Sequence, residues 1–139
     1  MSTVLVVNSG SSSIKYQLVD PVEGGAIASG LVERIGEATG SITHTFAGTT
    51  TERTRPIADH GDGLRAVLEL FEHEGPDLST ASAVGHRVVH GGSVFDGPAL
   101  VTDEVIAQTT MSAISAPCEK TCCRCMCDLY SNRYFLLPD

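Results

Sequence analysis

Three short stretches of the chain hold residue types that do chemistry. The first is Asn8-Ser9-Gly10-Ser11-Ser12-Ser13, followed two residues later by Lys15. A tight turn of Gly and Ser exposes several backbone N–H groups and hydroxyls together, and such a nest holds anions. Ser11, Ser12 and Ser13 are therefore candidate phosphate contacts, with Lys15 as a compact positive charge beside them. The stretch is not a P-loop, which needs Gly-x-x-x-x-Gly-Lys-Ser/Thr at the opening of a helix. Taken alone, an ordinary polar hairpin is the commoner reading, because Gly and Ser dominate turns. Asn8 closes an apolar run, at the mouth where ligands of α/β sheets lie, and its side-chain oxygen can serve Mg²⁺ directly or through water. A turn Asn bonded to its own backbone is the plainer alternative.

The second stretch is His86-Arg87-Val88-Val89-His90-Gly91-Gly92. A guanidinium in so apolar a setting needs an anionic partner, and no acid is adjacent in sequence. Arg87 is thus a candidate clamp on a carboxylate or phosphate, or else half of an internal salt bridge. His86 and His90 read as hydrogen-bonded structural histidines before they read as a metal pair. The third stretch gathers all five cysteines, Cys118, Cys122, Cys123, Cys125 and Cys127. Its thiol density suits Zn²⁺ or Cu⁺, but the paired Cys-x-x-Cys spacing of a structural zinc site is missing, and it reads as a tail without a selected role.

The elements that must position these residues follow from hydrophobic period. Thr3 to Asn8 is a nearly continuous β-branched and apolar run, predicting a strand buried on both faces. Ile14, Tyr16 and Leu18 alternate with Lys15 and Gln17, so the polar turn joins two strands of a hairpin. A further strand is predicted over 26–35, and two exposed, Thr-rich strands over 41–46 and 50–55 around Gly48. The period then changes. Leu64, Val67, Leu68 and Phe71 fall on one face of a helix that starts after Asp59 and ends at Gly75-Pro76. Residues 83–90 read as another strand, and Thr102 as the cap of a short second helix. Strands, helix, strand, helix make an α/β or α+β domain.

Composition sets the bounds. The 139 residues carry 9 Lys+Arg against 17 Asp+Glu, a net charge of −8, with 42% hydrophobic residues. That suits one folded domain with its own core. The acid excess argues against a nucleic-acid or anionic-membrane binder. No apolar run approaches the roughly 20 residues of a membrane span, and the N-terminus lacks a basic leader, so the expected compartment is the cytoplasm.

Two of the motifs, Val4-Leu5-Val6-Val7-Asn8-Ser9-Gly10-Ser11-Ser12-Ser13-Ile14-Lys15 and Gly85-His86-Arg87-Val88-Val89-His90-Gly91-Gly92, with Leu31 to Gly36 between, resemble the N-terminal part of the acetokinase family. The resemblance runs over roughly residues 2 to 106. It implies an α/β, ribonuclease-H-like lobe of the actin, hexokinase and sugar-kinase superfamily over residues 1–114, with 115–139 a divergent Cys-rich tail. The activity it implies is Mg²⁺- and ATP-dependent, reversible phosphorylation of acetate to acetyl phosphate, in a chain that is typically a homodimer. By the same resemblance Asn8 serves the Mg²⁺ site, Lys15 serves ATP, and Arg87 binds the acetate carboxylate and the phosphoryl group. The family's Leu-Ala-Pro-Leu-His-Asn-Pro segment and catalytic Asp have no counterpart here; Ser115-Ala116-Pro117-Cys118 stands where they should begin. The expectation is an incomplete, inactive first lobe without catalytic residues of its own, ended early by a shifted reading frame or a misassembled gene, which sequencing the encoding DNA checks. Competing expectations are a propionate or butyrate kinase fragment, a non-catalytic phosphate- or metal-binding module, and a chain that does not fold stably and associates or aggregates through an uncovered apolar face.

Overall fold

The computed structural model describes residues 2–87, the last of them by its backbone. The expectations for 88–139, namely the strand's continuation to His90, the helix at Thr102, the cysteines and the boundary at 114, lie outside the described residues.

Five strands form an antiparallel meander: β1 (Thr3–Ser9), β2 (Ile14–Val19), β3 (Ala26–Glu33), β4 (Gly40–Phe46) and β5 (Thr49–Arg55). The chain then crosses back through helix α1 (His60–Glu74) and a 3-10 turn (Leu78–Thr80) into β6 (Ala81–Arg87), which pairs parallel to β1. The sheet order is β5-β4-β3-β2-β1-β6. A parallel partner requires such a crossover, since no hairpin can return a strand in the same direction.

Helix α1 lies against one face of the sheet, and between them sits the core. Asp59 caps the helix, its carboxylate accepting the Asp62 N–H at 2.8 Å. Gly75 ends it at φ 76°, a conformation that favours glycine. Leu5, Val7, Ile14, Tyr16, Leu18, Val32 and Ile42 meet Leu64, Val67, Leu70 and Phe71 there. Gly30 is needed for this packing, because a Cβ at that position would overlap the Tyr16 ring laid across it.

Four expectations need correction. β1 is buried on one face only: Leu5 and Val7 are in the core, while Val6 between them is 40% exposed, because α1 covers a single side of the sheet. β4 is not an exposed strand, since Ile42 and His44 point into the core and leave the threonines outside. The helix stripe runs through Leu70, with Leu68 only half-buried at its margin. β3 also ends at Glu33, two residues short of the predicted end, where Arg34 turns to φ 57°.

Candidate functional site

Strand register brings the separate motifs together. Asn8 on β1 lies opposite Lys15 on β2, and on its other side the same Asn8 is the Cα partner of Arg87 on β6. Lys15, Asn8 and Arg87 thus form one row across three adjacent strands, although 72 and 79 positions of sequence separate Arg87 from the other two. The row sits at the carboxyl ends of the parallel pair β1 and β6, the end of an α/β sheet where ligands lie. Asn8 is half-buried and Lys15 exposed, both on the face of the hairpin away from α1.

The turn at residues 10–13 closes the hairpin beside that row. Three of its four carbonyls are engaged: Gly10 N–H donates to the Ser13 carbonyl (2.8 Å), Ile35 N–H to the Ser12 carbonyl (3.0 Å), and His60 Nε2–H to the Gly10 carbonyl (2.9 Å). The carbonyl can only accept, which places the proton on Nε2. Among the described residues nothing takes the amides of Ser11, Ser12 or Ser13, and Ser11 and Ser12 are exposed. Engaged carbonyls beside unengaged amides are what an anion-binding turn requires.

The support beneath the turn is built from charge and capping. Arg55 donates through Nη1 and Nη2 to both carboxylate oxygens of Asp62 (3.1 and 3.3 Å), and the Ala58 N–H adds a third bond at 3.0 Å. The Arg55 hydrogen bond, followed by that N–H, holds the Asp62 carboxyl below the usual carboxylate range. The end of β5 is thereby fastened to the start of α1, where His60 stands 8% exposed.

A second polar arrangement lies deeper. His44, 1% exposed, donates from Nε2 to the Gly75 carbonyl (2.7 Å), so its Nδ1 accepts from the Tyr16 hydroxyl (2.7 Å). Phe71 packs against both rings, at centroid distances of 5.5 and 5.0 Å. Burial pushes the Tyr16 phenol well above its ordinary range. This group joins β2, β4 and the end of α1, and its role is to fix the core. A hollow near that end of the helix, lined by Leu68, Phe71, Gly75 and Leu78, carries the carboxylates of Glu72 and Asp77 and is ill suited to an anion.

Of the candidates read from sequence, Asn8, Ser11, Ser12, Ser13, Lys15 and the Arg87 backbone converge, while His86 sits one position back, beside Val7. His90 and the cysteines lie outside the described residues. His60 and His44 escaped the sequence reading. Both had a signal: His60 precedes Leu64 by four on the helix stripe, and His44 alternates with Ile42 and Phe46. Among the described residues no three His, Cys, Asp or Glu gather to hold a metal, and no helix is long and apolar enough to cross a membrane.

Fold and site together define an α/β lobe whose candidate anion site lies at the carboxyl ends of a parallel strand pair. The acetokinase family model matches residues 3–122, and the chain belongs to the acetokinase family. The acetate kinase of Clavibacter michiganensis subsp. michiganensis is 54% identical over 119 residues, covering 84% of this chain and 30% of that protein. The acetate kinase of Streptomyces coelicolor is 50% identical over 109 residues, covering 76% of this chain and 27% of that protein. Among solved structures, Porphyromonas gingivalis acetate kinase matches with a TM-score of 0.84 at 30% identity, over 99% of this chain and 35% of its own. A propionate kinase from Francisella tularensis subsp. tularensis matches with a TM-score of 0.83 at 25% identity, over 95% of this chain and 34% of its own. The chain therefore spans about 30% of the length of the curated relatives it matches. Its fold is the α/β, ribonuclease-H-like first lobe of the actin, hexokinase and sugar-kinase superfamily, as expected from the sequence.

Proposed function

We propose that the chain carries the phosphate- and acid-binding part of an acetate kinase, which phosphorylates acetate reversibly to acetyl phosphate with ATP and Mg²⁺. The observation that carries this reading is the Lys15–Asn8–Arg87 row beside a turn with free amides, in a chain of the acetokinase family. In that reading Lys15 and the amides of Ser11, Ser12 and Ser13 bind the phosphates of ATP, and Arg87 binds the carboxylate of acetate and the transferred phosphoryl group. Transfer in line needs alignment and charge neutralisation more than covalent help, and a cationic row supplies both. Mg²⁺ fits the donor set, since a hard cation that keeps most of its waters needs only an amide oxygen such as that of Asn8 beside the substrate's phosphates. When bound it would draw charge from the phosphate oxygens. A homodimer belongs to the same reading and rests on the family resemblance alone, and a cytoplasmic location rests on the sequence pattern of the N-terminus and the apolar runs.

Calorimetric titration of the purified chain with acetyl phosphate and with MgATP tests the assignment. Binding of both is expected, with acetyl phosphate weakened about tenfold or more in Arg87→Ala, the loss of a charge-assisted bond. No binding of either ligand by the wild-type chain would sink it. Propionate in place of acetate is a second reading, favoured by the likeness to the Francisella propionate kinase. One methylene is worth about 10- to 200-fold in a fitted pocket, so competition between the two acids separates them.

A further inference from the structure

Resting on the reading of residues 10–13 as a phosphate turn, we propose that His60 is the positioning residue of that turn, setting the direction of the Ser11 N–H. In a trans peptide the C=O and N–H of one unit point opposite ways. His60 Nε2–H holds the Gly10 carbonyl inward at 2.9 Å, and this turns the N–H of the same unit, that of Ser11, outward. Ile35 N–H holds the Ser12 carbonyl at 3.0 Å and does the same for the Ser13 N–H. The two units differ in what secures them. Ser12 is secured by a backbone donor that no substitution short of proline removes, Gly10 by one side chain 50 positions away in sequence. Gly10 has no Cβ to limit its own rotation, so its peptide unit depends on that outside bond. His60 can supply it because the Asp59 cap and the Arg55–Asp62 pair fix the start of α1, and because the ring itself is 8% exposed. His60 acts through Gly10 and has no contact with the anion in this account.

The test is titration of the ¹⁵N-labelled 139-residue chain with inorganic phosphate, followed at the Ser11 and Ser13 amides, for wild type, His60→Phe and His60→Gln. In wild type both amides are expected to shift with one midpoint. In His60→Phe the Ser11 response should fall to less than half while that of Ser13 persists, with phosphate affinity lowered about three- to tenfold, the worth of one hydrogen bond. His60→Gln, whose side-chain amide can still donate, should restore the Ser11 response. Should His60→Phe fail to fold, the wild-type His60 Nε2 resonance decides, since it must move with the midpoint of the Ser11 amide. Equal Ser11 and Ser13 responses in a folded His60→Phe, or a still Nε2 resonance, overturn the inference alone. If neither amide moves in wild type, the phosphate turn itself falls and the inference with it.

Discussion

The two faces of strand β1 contrast most sharply. On one side Leu5 and Val7, at 3% and 1% exposure, pack under α1. On the other, Val6 is 40% exposed and Asn8 stands in the row with Lys15 and Arg87. Residues one position apart in the same strand therefore belong to different tasks, because strand side chains alternate between faces. The covered face gains its stability from dry packing, while the open end keeps amides and a cationic side chain available to a ligand. Substitutions should separate accordingly, with covered-face changes costing stability and open-end changes costing affinity.

The largest effect is expected at Phe71, which is 3% exposed and touches both Tyr16 and His44. Phe71→Ala should cost about 3–5 kcal/mol in denaturant unfolding through the cavity it leaves. A much smaller loss would break the contrast, since the packed face would then not be what holds the lobe. Tyr16→Phe comes next. It removes the hydroxyl that His44 Nδ1 accepts from and leaves a buried acceptor unpaired, for about 1–3 kcal/mol, with phosphate binding by the folded variant unchanged. The smallest effect concerns the Asp62 carboxylate. Its folded-state value is depressed by Arg55 and the Ala58 N–H, so its contribution is full above the ordinary carboxylate value of about 4 and fades as pH falls through the folded one. The pair is partly exposed, and a difference of up to about 1 kcal/mol at neutral pH is expected. Melting curves of wild type and Asp62→Asn should therefore lie apart at pH 6 and draw together as pH falls below about 4. A gap that does not narrow at all in the acid range would assign the effect to something other than the charge.

Much of this contrast was legible before the fold was known. The hairpin Thr3 to Val19, the helix after Asp59 and the candidate residues Asn8, Ser11 to Ser13, Lys15 and Arg87 all follow from short-range pattern and motif. What could not be read were facts of register and layer. Nothing local says that Asn8 pairs with Arg87 on a parallel strand reached only by a crossover. The continuous Val4-Leu5-Val6-Val7 run reads as doubly buried because periodicity records residue type and not which face a helix will cover. His44 and His60 were passed over for a related reason. A polar residue on an apolar stripe looks like an interruption until its partner, the Gly75 or Gly10 carbonyl, is brought to it by tertiary packing.

The most direct test of the division between the two faces measures stability and affinity on the same preparation of Lys15→Ala. The account expects an unfolding midpoint equal to that of wild type, since Lys15 is exposed and outside the core, with MgATP bound about tenfold more weakly. Unchanged MgATP affinity, or an affinity loss matched by a fall in the midpoint, would contradict it.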